Sequence, residues 1–347
     1  MDFINRTRYA AQIITTIVEE DRMMASVIIK AMFSVDGGKL APLEKQQWPI
    51  GQGLKTEFGT FDDETPFRKQ GVDVMLLGKA YPTGGSQGNR GRVLLQAGNV
   101  SYEIDVFGTR TWVRSGDRLV ASDPEPFESI PLTWEYAYGG KCPVETGELP
   151  YHSNPVGKGF YLSEEAAEGG ELPNLENPQN PIKSWEDQPE PVGIAPLSRN
   201  SSLRIMNSAE FDTESKPPRI KFFKPSYFNN ANPRLIMDFP VEPGTPFVAG
   251  GVLPDGGDLR FRLPKGSFHV YVQLADRPYA FPVHLDSVAL FSERTSVVLG
   301  FRCCFKYRLV PLERRVAVLY SGVAPATIPT DYVIDWSEFA DGEVVNA

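Results

Sequence analysis

Short runs of β-branched and aromatic residues, separated by turn residues, set the hydrophobic pattern of the chain. The clearest case is 101–107, where Tyr102, Ile104 and Val106 alternate with polar residues. A period of two predicts a strand with one buried and one solvated face. Residues 92–97 form a similar run and are joined to it through Gly98-Asn99. We therefore predict a β-hairpin there.

Similar runs recur along both halves of the chain, with turns such as 36–39 and 253–258 between them. Strands every 8 to 12 residues are typical of a sandwich or barrel. Helix is expected only in short pieces, near 134–138 and 225–231. We predict a mainly β, antiparallel β-sandwich-like fold with little helix, whose further strands lie at 12–34 (two strands), 73–81, 235–239, 259–263, 268–274, 287–291, 295–302 and 316–320.

Residues 141–218 interrupt this pattern, because prolines recur there without regular periodicity. Tyr151, Phe160, Tyr161 and Trp185 lie in the same stretch, and a disordered linker seldom holds so many aromatic residues. We expect an ordered, Pro/Gly-rich excursion joining an N-terminal β region at 1–140 to a C-terminal β region at 219–347. The pattern leaves open whether the two β regions form one sandwich or two.

Composition narrows the classes of function. The 35 Lys and Arg against 44 Asp and Glu give a net charge of −9, without a basic run to hold phosphates, so no direct nucleic-acid partner is expected. No run approaches the roughly 20 apolar residues of a spanning helix, and residues 1–6 lack the pattern of a secretory signal. We expect a cytoplasmic protein with no membrane partner, whose three cysteines are free thiols.

Local motifs for catalysis are weak. Residues 84–88 match G-x-S-x-G, but a β-rich run follows where a nucleophile elbow needs a helix. Gly51-Gln52-Gly53 lacks the third glycine of a dinucleotide loop, and 139–142 lack the hydroxyl residue of a Walker loop. We interpret all three segments as loops or turns.

The histidines, cysteines and acidic residues also show no spacing along the sequence that is typical of a metal site or an acid–base pair. His152, His269 and His284 stand at no metal-binding spacing, and no two cysteines form C-x-x-C. The acidic pairs 62–63 and 164–165 are typical of solvated loops. The residues therefore predict no catalytic site, no metal and no cofactor.

Several unusual strings occur in a fixed order along the chain. They include Val106-Phe107-Gly108-Thr109-Arg110-Thr111-Trp112, Trp134-Glu135-Tyr136-Ala137-Tyr138-Gly139-Gly140 and Asn154-Pro155-Val156-Gly157-Lys158-Gly159-Phe160. This order resembles a bacterial family of unknown function encoded beside PAAR-repeat spike-tip proteins and toxic effectors of type VI secretion systems. The resemblance covers roughly 25–320 and is strongest over 70–176. Residues 210–214 depart from it, because they lack the tryptophan of the family's aromatic block.

The resemblance implies an adaptor or chaperone that binds a PAAR-repeat spike-tip protein or effector toxin and aids its loading onto the secretion spike, without catalysis. The alternatives are a hydrolase acting on a glycan or peptide with carboxylates of the Pro-rich region, and a structural component of the secretion apparatus. The candidate partner-binding or signature residues are Arg110, Trp112, Tyr138, Gly139, Gly140, Asn154, Pro155, Gly157, Gly159 and Phe160.

Physical roles can be assigned to some of these residues. Arg110 is expected to stack on an aromatic ring or pair with a carboxylate, with Trp112 on the same strand face. The glycines are expected to permit backbone angles or close approaches that fix the excursion. Direct contact with a partner and a purely structural role both remain open for the whole set.

Overall fold

Strands form most of the regular structure in the computed structural model, which describes residues 1–84, 88–274, 277–310 and 315–322. Those before residue 140 are β1 (Asp2–Asn5), β2 (Ala10–Glu19), β3 (Arg22–Asp36), β4 (Lys39–Pro42), β5 (Leu54–Thr56), β6 (Gly59–Phe61), β7 (Val72–Leu77), β8 (Lys79–Ala80), β9 (Arg90–Ala97), β10 (Val100–Phe107), β11 (Trp112–Ser115), β12 (Arg118–Ala121), β13 (Ile130–Pro131) and β14 (Tyr138–Gly139).

The remaining elements complete the fold. The strands are β15 (Lys141–Val144), β16 (Gly147–Pro150), β17 (Lys158–Gly159), β18 (Leu175–Glu176), β19 (Ala209–Asp212), β20 (Arg219–Phe223), β21 (Ile236–Met237), β22 (Pro246–Gly250), β23 (Leu259–Arg262), β24 (Phe268–Leu274), β25 (Arg277–Phe281), β26 (His284–Phe291), β27 (Ser296–Arg308) and β28 (Arg315–Ser321). The helices are α1 (Glu164–Ala167), α2 (Ser202–Ser208) and 3-10 turns at Trp134–Tyr136, Pro225–Phe228, Pro233–Leu235 and Ser292–Arg294.

Three large sheets combine strands from the two ends of the chain. One has the order β2-β3-β27-β26-β7-β21, with β4 also paired to β3; the others are β18-β10-β9-β22-β23 and β1-β28-β24-β25. Pairing is mostly antiparallel, with parallel pairs at β1–β28, β7–β26 and β14–β17. Strands from 1–140 and from 219–347 thus lie side by side in every large sheet.

Both smaller sheets pack on the same face of the seven-stranded sheet. In β3, Ala25, Val27 and Ile29 join a hydrophobic cluster with the four-stranded sheet. Two residues further on, Ala31 and Phe33 join the cluster shared with the five-stranded sheet. Because alternate residues of a strand share a face, these five side chains form one continuous apolar stripe. The long strands β3 and β27 therefore carry two hydrophobic cores, one at each end.

The opposite face of the same sheet carries a polar row. The register aligns Ala31, Leu299, Val288 and Val74 in one row across β3, β27, β26 and β7. The adjacent row, which points the other way, consists of Lys30, Gly300, Ser287 and Asp73. In each of these four neighbouring strands, the residue in the apolar row and the residue in the polar row are therefore adjacent in sequence and lie on opposite faces of the sheet.

The prediction of a mainly β fold with little helix is confirmed. The hairpin at 92–107 is present, with Ala97 opposite Val100, and its predicted core residues Tyr102, Ile104 and Val106 are buried. Short helical turns occur at both predicted places.

Some predicted strands differ in extent from the observed ones. The strand expected at 235–239 shrinks to Ile236–Met237, because Leu235 ends a 3-10 turn. The run at 73–81 is split at Gly78, which packs against Ser292. Of the candidate nucleophile elbow, residues 85–87 lie outside the described part of the chain.

Candidate functional site

The signature residues meet in one hydrogen-bonded unit, which we call the signature unit (residues 110–176). Strands β14 and β17 pair Tyr138 with Lys158 and Gly139 with Gly159. The Asn154 side-chain amide donates to the Trp134 and Tyr138 carbonyl oxygens at 2.8 and 3.0 Å, and Gly140 N donates to Asn154 O at 2.8 Å. The strings at 134–140 and 154–160 are therefore in direct contact.

A glycine is required where the strings touch. Gly139 has φ +144, and a Cβ there would lie 2.1 Å from Asn154 O. A side chain would both strain the backbone and drive the strings apart. The signature glycines at 140, 157 and 159 lie in the same contact between the two strings.

Most signature side chains are buried inside the unit. Trp112 is 1% exposed and packs with Leu119 and Leu172, while Tyr138 and Phe160 pack together in a second small cluster. Pro155 and Val156 are exposed, in the turn that Asn154 holds.

Arg110 makes both of the contacts expected of it. Its guanidinium stacks 4.0 Å from the centre of the Phe107 ring and lies 2.5 Å from Glu176 Oε1. It also donates to Pro173 O at 2.7 Å. Arg110 precedes β11, in which Trp112 is the first residue, so strand alternation does not relate the two side chains. The arginine ties the start of the unit to β18.

Five apolar side chains of the signature unit are partly exposed. Val144 and Leu149 lie on the β15–β16 hairpin, where every residue except Cys142 is exposed. Val156 is 55% exposed. The set is Val113, Val144, Leu149, Val156 and Leu162. Apolar side chains displayed on a rigid base are a common feature of protein-binding surfaces.

Charged residues also cluster on the polar face of the seven-stranded sheet, where sequence reasoning identified no site. The charge cluster consists of Lys30, Glu64, Arg302, Asp286, Lys69 and Asp73. Its ions alternate in sign along a continuous path. The successive N···O distances are 2.5 Å for Lys30–Glu64, 2.5 Å for Glu64–Arg302, 2.9 Å for Arg302–Asp286, 3.0 Å for Asp286–Lys69 and 2.8 Å for Lys69–Asp73.

Because these side chains are buried, each charge needs a partner of opposite sign, since an unpaired charge in a protein core costs several kcal/mol of desolvation free energy. Asp73 is fully buried, and its carboxylate also accepts hydrogen bonds at 3.0 Å from Asn229 Nδ2 and from the backbone N–H groups of Asn230 and Ala231. Nearby, Asp62 pairs with Arg204 at 2.5 Å. The prediction of a solvated loop at 62–63 is therefore wrong for Asp62. Its side chain is only 12% exposed, because the ion pair with Arg204 holds it against the protein.

Glu64, Asp286 and Lys69 are held in their ionised forms. Burial alone would raise the pKa of Glu64, but the three neighbouring cations outweigh it and lower the pKa to about 2. Burial would likewise raise the pKa of Asp286, and the same cations hold it well below its usual range. Burial would lower the pKa of Lys69, but its carboxylate neighbours raise it. Groups fixed in this way are poorly suited to exchanging protons at neutral pH.

Three clefts among the described residues are small or polar. The one beside Lys30, Glu64 and Lys69 holds about 20 Å³, room for about one water molecule. A second, between Arg199 and Tyr227, holds about 40 Å³. A shallow polar groove of about 250 Å³ runs between β10 and 177–179, with Arg234 at its side. Within the described ranges, no group of His, Cys, Asp and Glu residues is placed to hold a metal ion.

The fold and these contacts define a mainly β protein with a balanced buried charge cluster and a rigid signature unit. Residues 20–302 match the model of a family described as an uncharacterized protein conserved in bacteria (DUF2169), and the chain belongs to that family. No curated protein and no solved structure matches the chain. Among the described residues, no helix has the length and apolar character needed to cross a membrane.

Proposed function

We propose that this chain is a non-catalytic adaptor that binds a PAAR-repeat spike-tip protein or effector toxin and aids its loading onto a type VI secretion spike. It acts in the cytoplasm, where such cargo is made. The order of its sequence strings resembles a family encoded beside PAAR-repeat proteins and toxic effectors, and this resemblance supports the proposal. Membership of a family conserved in bacteria also supports it.

One observation carries the argument: the signature unit has a buried, hydrogen-bonded centre and exposed apolar side chains. Val156 is 55% exposed, although it lies in a turn fixed by Asn154. Leu149 is 48% exposed on the neighbouring hairpin segment. A fixed surface loses little conformational entropy on binding, which favours recognition of a partner.

A hydrolase that uses carboxylates of the Pro-rich region has less support. Glu171, Glu176 and Glu190 each lie in an ion pair, with Lys158, Arg110 and Arg234 respectively. General acid–base work needs a carboxyl group that is free to exchange its proton with substrate. These three carboxylates are therefore engaged by cations, whereas the adaptor proposal depends on side chains that are exposed.

The direct test is co-purification of the tagged chain with the PAAR-repeat protein or toxin of its host, followed by a secretion assay. Val156→Asp should weaken binding about tenfold or more, because it places a charge in an apolar contact. Toxin release should fall in parallel. Ile17→Asp is the matched control, since Ile17 is 67% exposed on β2, outside the signature unit.

The outcomes separate the alternatives. Equal cargo binding by both variants would show that the signature unit is not part of the interface. Failure of any PAAR-repeat protein or toxin to co-purify would overturn the adaptor role. Stoichiometric retention of the chain on secreted spikes would instead make it a component of the apparatus.

A further inference from the structure

The hairpin β19–β20 stands apart from the three large sheets. Its two strands pair only with each other among the strands described. Residues 219–222 are exposed, including Ile220 at 42% and Phe222 at 39%. An isolated two-stranded hairpin is marginal by itself, and its outer edges leave backbone N–H and C=O groups without strand partners.

The base of the hairpin is nonetheless fixed to the protein. The Phe223 ring stacks on the Tyr227 ring with centroids 3.9 Å apart. Lys224 pairs with Glu210 at 3.1 Å, and its backbone N–H donates to Ser208 O at 2.8 Å. The strand is thus held in an extended form while its surface stays open.

Strand β20 is also locally basic in a chain of net charge −9. Lys216, Arg219 and Lys221 are exposed, and none lies in an ion pair with another described residue. Cations on an edge strand discourage pairing between like strands. They also create a preference for a strand of opposite charge.

We propose that the edge of β20 pairs with an extended segment of a partner protein in which acidic and apolar residues alternate. The backbone of the segment would complete the hydrogen bonds of the edge, its carboxylates would meet Arg219 and Lys221, and its apolar residues would cover Ile220 and Phe222. This inference does not depend on the PAAR proposal, since the hairpin lies outside the signature unit.

Other occupants fit the same surface less well. Pairing of β20 with β20 of a second copy would place cations opposite cations, which is destabilising. A nucleic-acid strand has no peptide N–H and C=O groups in strand register, so it cannot complete the backbone hydrogen bonds of the edge. Exposed cations next to exposed apolar side chains, with a register irregularity at Lys221, instead match a strand that carries both acidic and apolar residues.

The test uses the full chain and a fluorescein-labelled octapeptide of alternating glutamate and valine, with binding followed by fluorescence anisotropy. The double variant Arg219→Glu/Lys221→Glu should lose about tenfold or more in affinity. The control Lys39→Glu/Lys55→Glu changes net charge equally at two exposed lysines elsewhere and should stay within about twofold. A lysine–valine octapeptide should bind at least about tenfold more weakly.

Hydrogen exchange then locates the contact. Peptide binding should protect backbone amides of 209–224, and this protection should disappear in the double variant at β20. Equal loss of affinity in both double variants, protection confined to other segments, or no binding by the acidic peptide would overturn the proposal. Tighter binding by an oligothymidylate, lost in the same variant, would make the hairpin a nucleic-acid surface instead.

Discussion

At the scale of single residues, the polar row of the seven-stranded sheet depends on the absence of a side chain. Gly300 lies between Lys30 and Ser287 in neighbouring strands. A Cβ at this position would be 2.2 Å from Ser287 Oγ and 3.0 Å from Lys30 Nζ. The missing side chain gives the lysine space to reach Glu64 across the sheet.

Gly300→Ala should therefore lower the free energy of unfolding by about 1–3 kcal/mol, the usual cost of overpacking a core. Chemical denaturation measures this loss. Gly266→Ala is the control, because a Cβ there has open space and the backbone φ is ordinary. It should change stability by less than about 0.5 kcal/mol. Equal effects of the two substitutions would show that the polar row tolerates a side chain.

At the scale of elements, the segment 62–69 acts as a cover over the polar face. It has little regular structure and is held by charge: Glu64 contacts Lys30 and Arg302, and Lys69 contacts Asp73 and Asp286. Irregular backbone can be fixed over a sheet when buried ions of opposite sign hold it there.

Acid should release this cover. Because the pKa of Glu64 is lowered from 4.5 to about 2, its contribution is fully present above pH 4.5 and is lost as the pH falls towards 2. Glu64→Gln should be less stable at neutral pH, yet its free energy of unfolding should fall less steeply over this range. Urea titrations at several pH values measure the two slopes.

Exposed Glu145 provides the control for the acid experiment, since Glu145→Gln should keep the slope of the parent protein. A parent-like slope in Glu64→Gln would instead show that other carboxylates govern acid unfolding.

How much of this could be predicted from sequence differs between elements. The 92–107 hairpin was predictable because alternation and turn lie within 16 consecutive residues. The charge cluster was not, because sheet pairing brings Lys30 near Arg302 and Glu64 reaches both from the irregular segment 62–69. A signal was present all the same: Lys30 and Asp73 stand inside otherwise apolar strands. Such charges predict a buried partner without identifying it.

The signature unit shows a similar limit. The order of its strings supported a resemblance, but sequence could not separate a structural role from partner contact. The structure buries Trp112, Tyr138 and Asn154 and exposes Pro155 and Val156. Which of these residues are buried and which are exposed depends on tertiary packing, and the local sequence pattern does not predict it.

At the scale of the whole molecule, the central sheet makes folding depend on both ends of the chain. Strands β26 and β27 lie between β3 and β7, and β27 carries residues of both large hydrophobic clusters. Contacts this distant in sequence must form before either core is complete.

A fragment of residues 1–218 should therefore fail to fold, because it lacks β27, which pairs with β3, and both neighbours of β7, β26 and β21. Far- and near-ultraviolet circular dichroism during urea unfolding tests this: the full chain should show a cooperative transition and the fragment none. A cooperative transition in the fragment would show that the N-terminal part has a core sufficient for itself.

The alternating path of ions also constrains how this chain can evolve. A substitution that neutralises one member leaves a buried charge of the other sign, so neutral drift through single changes is blocked there. Change is tolerated when both members of a terminal pair are replaced together, as in Lys30 with Glu64, and the second replacement then rescues the first. Mutational paths through the polar face should accordingly be epistatic, whereas the apolar stripe on the other face accepts stepwise exchange of similar side chains.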